Sequence, residues 1–364
     1  MSIKRVIISG GGTGGHIYPA ISIANAMKEI DPSLAFLFVG ADGKLEREQV
    51  PKAGYKIIGL PIVGIQRTQI WKNIFFPFKL VKSLWQSVKI IQEFKPDVAV
   101  GVGGYASGPL LLAARFLGIP YYIQEQNSFA GITNKALAAK AEHIFVAYPG
   151  MEKFFPAAKI TLSGNPVRKD LLDAAGKKTQ AAAHFKLDPA KKTLLIIGGS
   201  QGARSINQGI LAGLDQILEA GVQVIWQTGI GFESTAKQAA SSHPTTYVSA
   251  FIYEMDLAYA MADLVISRAG ASSVSEICLT GKASILVPLP IAAEDHQTEN
   301  AKSLVSQHAA ILVRDADVKE KLVSTALDAL RSDLSAIEKN SLKLAKPNAA
   351  HEIALSILHA WKKN

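Results

Sequence analysis

The chain has 364 residues and a single cysteine, Cys278. One thiol closes no internal disulfide, and its neighbours in EICLTG supply no set of metal ligands. A disulfide-stapled fold and a cysteine-held metal are both excluded, and Cys278 reads as a small buried hydrophobe in a reducing compartment. No run approaches the roughly 20 apolar residues that a membrane-spanning helix needs. The apolar stretch in MSIKRVIISGGG is too short for a secretory leader, which predicts a protein kept in the cytoplasm. Charged residues are only 19% against 48% hydrophobic, a balance that excludes disorder. At this length two domains are expected rather than one core.

Acidic residues are the scarcer sign: 30 against 39 basic, for a net charge of +9. Such a chain suits nucleic acid, an anionic membrane or a phosphorylated substrate. Residues 61–95 concentrate the excess, with Arg67, Lys72, Lys79, Lys82, Lys89 and Lys95 against Glu93 alone. The same segment holds Trp71, Phe75, Phe76, Phe78, Trp85 and Phe94. Val81, Leu84, Trp85, Val88 and Ile91 fall at helical spacing, which predicts a core-facing stripe. The preceding run, Trp71 to Phe76, is harder to bury. Apolar residues among lysines suit an anionic membrane surface, where each Lys or Arg contributes on the order of 1 kcal/mol. Trp71, Lys72, Phe75, Phe76 and Lys79 are the expected membrane contacts. No nucleic-acid motif is present, so nucleic acid is not an expected partner.

What the chain does have is the same kind of glycine loop twice. RVIISGGGTGGH (5–16) and LLIIGGSQGA (194–203) are each a buried strand running into glycines and then a helical stretch. Around them strand-like and helix-like segments alternate. Strands are expected at Arg5–Ser9, Leu34–Val39, Val98–Val102, Tyr121–Gln124 and Ile144–Ala147. Further strands are expected at Leu194–Ile197, Gln223–Trp226, Thr246–Ser249, Leu264–Ser267 and Ser284–Val287. Helices are expected between them, including Phe78–Phe94, Ser205–Glu219 and Ser272–Thr280, with Gly281 as a C-cap. The alternation predicts parallel sheets covered by helices: an α/β chain of two Rossmann-like domains facing each other across a cleft. The expected domains are 1–163 and 164–346, split at SGNPVR and a polar, Ala-rich stretch (Asp173–His184). A C-terminal helix, 347–364, follows Pro347 and is expected to dock back on the first domain.

Each motif has a sharp and a bland reading. Gly10 to Gly15 satisfies G-x-G-x-x-G, and Asp42 lies 27 residues beyond Gly15, which keeps a dinucleotide site open. A cofactor loop, however, has no need of His16, whereas a catalytic loop bringing amides near an anionic substrate does. A tight turn with a helix-terminal histidine is the bland alternative. In Gly198–Gly202, helix N-terminal amides can hold phosphate and Ser200 can add a hydrogen bond, against a plain turn. In Ser267–Glu276 small residues open another helix after a strand. There Glu276 can take two ribose hydroxyls on its two oxygens, or merely cap the helix. PIAAEDHQTENA (290–301) offers amides that suit sugar hydroxyls; its Asp295 and His296 lack the further ligands a metal needs. VGGYASGP (102–109) and QEQN (124–127) are two more strand ends where ligands of open α/β sheets sit.

Taken together, GGGTGGH, VGGYASGP, EQN, GNPVR, GGSQGA, SRAGASSVSE and DHQTENA occur in the order and spacing of one family. The chain resembles the MurG family of inverting N-acetylglucosaminyltransferases, over nearly its whole length. The resemblance implies a GT-B fold and transfer of GlcNAc from UDP-GlcNAc to the 4-hydroxyl of MurNAc in undecaprenyl-diphosphoryl-MurNAc-pentapeptide (lipid I), giving lipid II for peptidoglycan. It also implies a peripheral enzyme on the cytoplasmic face of the plasma membrane, with cell-wall synthesis proteins as possible partners and no cofactor. Carried onto matching positions, the donor would touch Thr13, Gly14, Gly15, Asn127, Arg168, Ser200, Ile252 and Gln297. Ala271, Ser272, Ser273, Val274, Ser275 and Glu276 complete that set. Glu276 would hold the ribose and Ile252 the uracil. Around Gln297 the flanking residues depart from the family pattern. His16 is the candidate base, since imidazole titrates near neutral pH. Rival readings are a UDP-GlcNAc 2-epimerase or other GT-B enzyme, a dinucleotide-dependent oxidoreductase and a non-catalytic UDP-sugar-binding protein.

Overall fold

A computed structural model describes residues 3–11, 14–43, 46–64, 74–199, 202–290 and 295–360. The chain divides into two compact units, residues 1–168 with 348–364 and residues 169–347. The break falls at Arg168, not Ser163, because GNPVR is tied to the first unit. Asn165 bonds Gln124 and Gln126 there, and Arg168 lies over the Tyr18 ring at 5.6 Å.

In the first unit the strands are β1 (Arg5–Ser9), β2 (Ala35–Ala41), β3 (Lys56–Leu60), β4 (Val98–Gly101), β5 (Tyr121–Glu125), β6 (His143–Val146) and β7 (Ile160–Leu162). They pair in parallel in the order β3-β2-β1-β4-β5-β6-β7. β1 is apolar on both faces because both are covered. Val6 and Ile8 point to one side, where they meet Ile17, Ile23 and Met27 of helix Gly14–Ile30. Ile353 and Ile357 of the C-terminal helix Ala349–Ala360 complete that layer. Ile7 points to the other side, into a layer with Ile90, Ile91, Leu110 and Leu111 from helices Phe76–Phe94 and Ser107–Phe116.

The second unit repeats the plan. Its strands are β8 (Thr193–Ile197), β9 (Gln223–Gln227), β10 (Thr246–Ser249), β11 (Leu264–Ser267), β12 (Ser284–Leu286) and β13 (Ile311–Leu312), all parallel, in the order β10-β9-β8-β11-β12-β13. Leu194 and Ile196 enter one core layer and Leu195 and Ile197 the other, as a two-residue period dictates. In both sheets chain order reverses beside the strand that carries the first glycine loop, and that is where such sheets bind ligands.

Three expectations need correction. Val81 and Trp85 do not face the core but stand 67% and 66% exposed. The buried stripe of that helix runs through Ser83, Ser87, Ile90 and Ile91, because small serines let it approach closely. Phe76 packs against the core, so it is not available to a membrane as Phe75 is. The expected helix Ser205–Glu219 breaks at Gly213 into Arg204–Ala212 and Leu214–Glu219. The polar, Ala-rich stretch after the break folds into the second unit, where Ala181, Ala182 and Phe185 of helix Lys178–Phe185 are buried. Among the described residues no helix is long and apolar enough to cross a membrane.

Candidate active site

In the first unit the loops after β1 and β4 close on each other through backbone. A Cβ on Gly104 would lie 2.1 Å from the Gly11 carbonyl oxygen, and one on Gly10 would lie 2.1 Å from Val102 Cγ2. Gly103 and Gly104 have φ of +86° and +77°, which only glycine adopts cheaply. His16 stands in the first turn of its helix, half-buried, with its ring on this seam. A Cβ on Gly103 would sit 3.0 Å from its Cδ2 and 3.2 Å from Nε2. Gly14 and Gly15 open the same helix. The expected contacts Thr13, Ser200, Trp71 and Lys72 lie outside the described residues.

The loop after β5 joins the same seam. Gln126 Nε2 donates to the Val102 carbonyl at 2.6 Å and also to Gln124 Oε1. Gln124 Nε2 donates to Asn165 Oδ1 at 3.1 Å, and Asn165 Nδ2 donates to the Gln126 carbonyl at 3.0 Å. This buried ring of amides links QEQN to GNPVR. Asn127, half-buried, donates both its N–H and its side-chain amide to Glu125. Glu46 is another buried carboxylate; it accepts the Ala41 N–H at 3.0 Å and occupies the space a Gly11 side chain would need. Asp42, the candidate acid for a dinucleotide ribose, instead packs over Gly59.

In the second unit the seam is held by side chains. Arg268, just after β11, donates to Asp315 at 2.5 Å, to the Val287 and Pro288 carbonyls at 3.1 and 3.3 Å, and to Ser205 Oγ at 2.9 Å. Gln227 spans two loops, donating to the Gly199 carbonyl at 3.2 Å and accepting the Ile252 N–H at 3.0 Å. Gly202, at φ +76°, passes so near the Thr228 carbonyl that a Cβ would lie 2.2 Å from its oxygen. The helix Ala271–Leu279 begins after Gly270, which is extended. The N–H groups of its first turn precede the first intrahelical bond, from Val274 to Gly270. Ser272 Oγ is buried there with no hydrogen-bond partner among the described residues. Glu276 accepts the Tyr259 hydroxyl at 3.2 Å, and Gln297 accepts the Leu289 N–H at 3.0 Å.

Two expected contacts change character. The side chains of Ile252 and Val274 are 1% and 2% exposed and belong to the core. Ile252 can offer a ligand only its backbone, and Val274 has already committed its N–H within the helix. Ser275 Oγ bonds back to the Ala271 carbonyl at 2.9 Å. Sequence reading missed Glu46, Gln227 and Asp315 and gave no role of their own to Glu125 within QEQN and Arg268 within SRAGASSVSE; all of them act on loops from behind. Among the described residues no group of three or more His, Cys, Asp or Glu is placed to hold a metal.

Two Rossmann-like parallel-sheet units, each with glycine loops at its switch point, define the GT-B class of α/β proteins. Residues 6–146 match the glycosyltransferase family 28 N-terminal domain and residues 193–353 its C-terminal domain. The chain is 54% identical over 360 residues to the UDP-N-acetylglucosamine--N-acetylmuramyl-(pentapeptide) pyrophosphoryl-undecaprenol N-acetylglucosamine transferase of Bacteroides fragilis, covering 97% of this chain and 95% of that one. The crystal structure of Acinetobacter baumannii MurG superposes with a TM-score of 0.73 at 30% identity, over 98% of this chain and 99% of that one. The chain belongs to glycosyltransferase family 28 and, within it, to the MurG family. A UDP-GlcNAc 2-epimerase from Neisseria meningitidis, solved with UDP-GlcNAc bound, has a TM-score of 0.65 at 15% identity, over 98% of this chain and 100% of that one; it shares the fold alone.

Proposed function

We propose that this chain transfers GlcNAc from UDP-GlcNAc to the 4-hydroxyl of MurNAc in undecaprenyl-diphosphoryl-MurNAc-pentapeptide, forming lipid II and releasing UDP. The observation that carries the reading is identity of 54% over 97% of the chain to a transferase of that name. The MurNAc oxygen forms a bond to the anomeric carbon as the bond to UDP breaks, with inversion. His16 takes the proton from the attacking hydroxyl. Negative charge grows on the departing diphosphate, where the first-turn amides at Ala271, Ser272 and Ser273, the Ser272 hydroxyl and Ser200 would stabilise it. Glu276 accepts ribose hydroxyls, the Ile252 backbone meets uracil, and Arg168, Thr13, Gly14, Gly15, Asn127 and Gln297 complete the donor contacts.

Ile74, Phe75, Phe78, Val81 and Trp85 stand 65% or more exposed, with Lys79, Lys82 and Lys89 on the same helix. That apolar, basic face supports peripheral attachment to an anionic membrane, on the cytoplasmic side where the nucleotide donor is made available.

The test is GlcNAc transfer from UDP-GlcNAc to a short-chain analogue of the lipid acceptor, with UDP-GalNAc as control. Transfer from UDP-GlcNAc in clear excess over UDP-GalNAc is expected. No transfer, or epimerisation of the donor without an acceptor, contradicts the reading.

A further inference from the structure

Glu125, the last residue of β5, is 2% exposed and has no cationic partner among its hydrogen bonds. Its two oxygens receive four N–H groups. Oε1 accepts the Asn127 N–H at 3.1 Å and Asn127 Nδ2 at 3.3 Å, while Oε2 accepts the Gly131 N–H at 3.0 Å and Asn134 Nδ2 at 2.9 Å. An ionised carboxylate accepts at about four lone-pair sites and donates nothing, so these four donors match it fully. Burial pushes its pKa up, and the four donors oppose that. Asn134 shows how strongly the carboxylate commands its surroundings: its own Oδ1 is left buried with no partner among the described residues.

We propose that Glu125 is a positioning residue that fixes which end of the Asn127 amide meets the donor sugar. A flipped Asn127 would set Oδ1 against the carboxylate, acceptor against acceptor. The amide nitrogen is therefore held against Glu125 and Oδ1 is turned away from it, and in the transferase reading that is the end that accepts from a sugar hydroxyl. The inference rests on the transferase reading, in which Asn127 touches the donor. It accounts for an acid in QEQN that itself faces no ligand.

The experiment uses the full-length enzyme and the transfer assay, reading KM for UDP-GlcNAc, kcat and the inhibition constant of UDP. Glu125→Gln lets the Asn127 amide turn over. It should raise KM for UDP-GlcNAc by roughly three- to tenfold, the worth of about one hydrogen bond, while UDP inhibition stays within about twofold. Asn127→Ala should do the same, and the double variant should be no worse than Asn127→Ala alone, because both remove one contact. Multiplied effects in the double variant, a wild-type KM for Glu125→Gln, or an equal loss of UDP inhibition overturns the proposal. Asn127→Asp does not depend on Glu125→Gln folding. It sets two carboxylates together, so its KM should exceed wild type most at pH 8 and recover towards pH 6 as the pair takes up a proton. A KM ratio flat with pH shows that no carboxylate governs position 127. Absence of transfer by the wild-type enzyme would instead strike the functional reading itself.

Discussion

Both switch points pass a glycine close to a neighbouring carbonyl, but they differ in what else holds their loops. Around β1 and β4, loops are brought together by removing side chains: Gly104 against Gly11, Gly10 against Val102, with buried carboxylates filling the space behind. Around β8 and β11, loops are tied by long polar side chains, Arg268 to Asp315 and Ser205, and Gln227 to Gly199 and Ile252. Backbone-to-backbone packing leaves little freedom, which suits the role proposed for the His16 imidazole on this seam. A side-chain scaffold leaves a helix N-terminus and, buried beside it, a serine hydroxyl with no partner among the described residues, which suits grip on an anionic nucleotide. Two loops that look alike as glycine strings thus differ in what stands behind them.

The contrast breaks hardest at its glycines. Gly104→Ala would place Cβ 2.1 Å from a carbonyl oxygen at φ +77°, and should destabilise the first unit by roughly 3 kcal/mol or more. Gly202→Ala, with Cβ 2.2 Å from the Thr228 oxygen at φ +76°, should do the same to the second. Hydrogen exchange checks both: faster exchange should appear in β1 and β4 for the first variant, and in β8 and β9 for the second. Arg268→Ala acts on the second unit only. It leaves Asp315, which is 24% exposed, without its cation but with the Ser205 hydroxyl still donating to it, so the cost should be about 2 kcal/mol, below that of a fully buried pair. Arg268→Lys should not restore the loss, because a single ammonium cannot span four acceptors as the guanidinium fork does. Calorimetry should show weaker UDP binding in both variants.

The smaller effects sharpen the comparison. The exposed apolar stripe is a property of the first unit, so Phe75, Phe78 and Trp85 changed together to serine should lower sedimentation with anionic vesicles while UDP binding holds. In the second unit, burial pushes the Cys278 thiol up to about 11. At pH 8 nearly all of it is thiol, and alkylation should be slow until the unit opens. Reactivity should rise as pH approaches 11, where the thiolate forms. Gly202→Ala should speed labelling at pH 8, and Gly104→Ala should not.

Much of this fold was legible because buried parallel strands write long apolar runs; β1, β8 and β11 stand within one residue of where those runs place them. The edge strands β3, β7 and β13 were not, since they are short, half-exposed and gain their partners only from tertiary pairing. Serines 83 and 87 hid the true buried face of Phe76–Phe94, where small size rather than hydrophobicity decides which side packs. For the site, glycines announced where ligands should lie, because a positive φ or close backbone approach needs them. Glu125, Glu46 and Arg268 gave no such signal. A charged residue that will be buried behind a loop reads in sequence like any solvated one, and only the donors gathered round it reveal its role.

The central claim is a division of labour: the second unit grips the nucleotide and the first does the chemistry. Calorimetric titration of UDP-GlcNAc, paired with single-turnover transfer, tests it on His16→Gln and Glu276→Ala. His16→Gln should bind the donor as wild type does yet turn over roughly 10²- to 10⁴-fold more slowly, as loss of a general base requires. Glu276→Ala should lose roughly tenfold or more in affinity through its missing charged hydrogen bonds. Near-normal turnover in folded His16→Gln, or unchanged affinity in Glu276→Ala, would contradict that assignment.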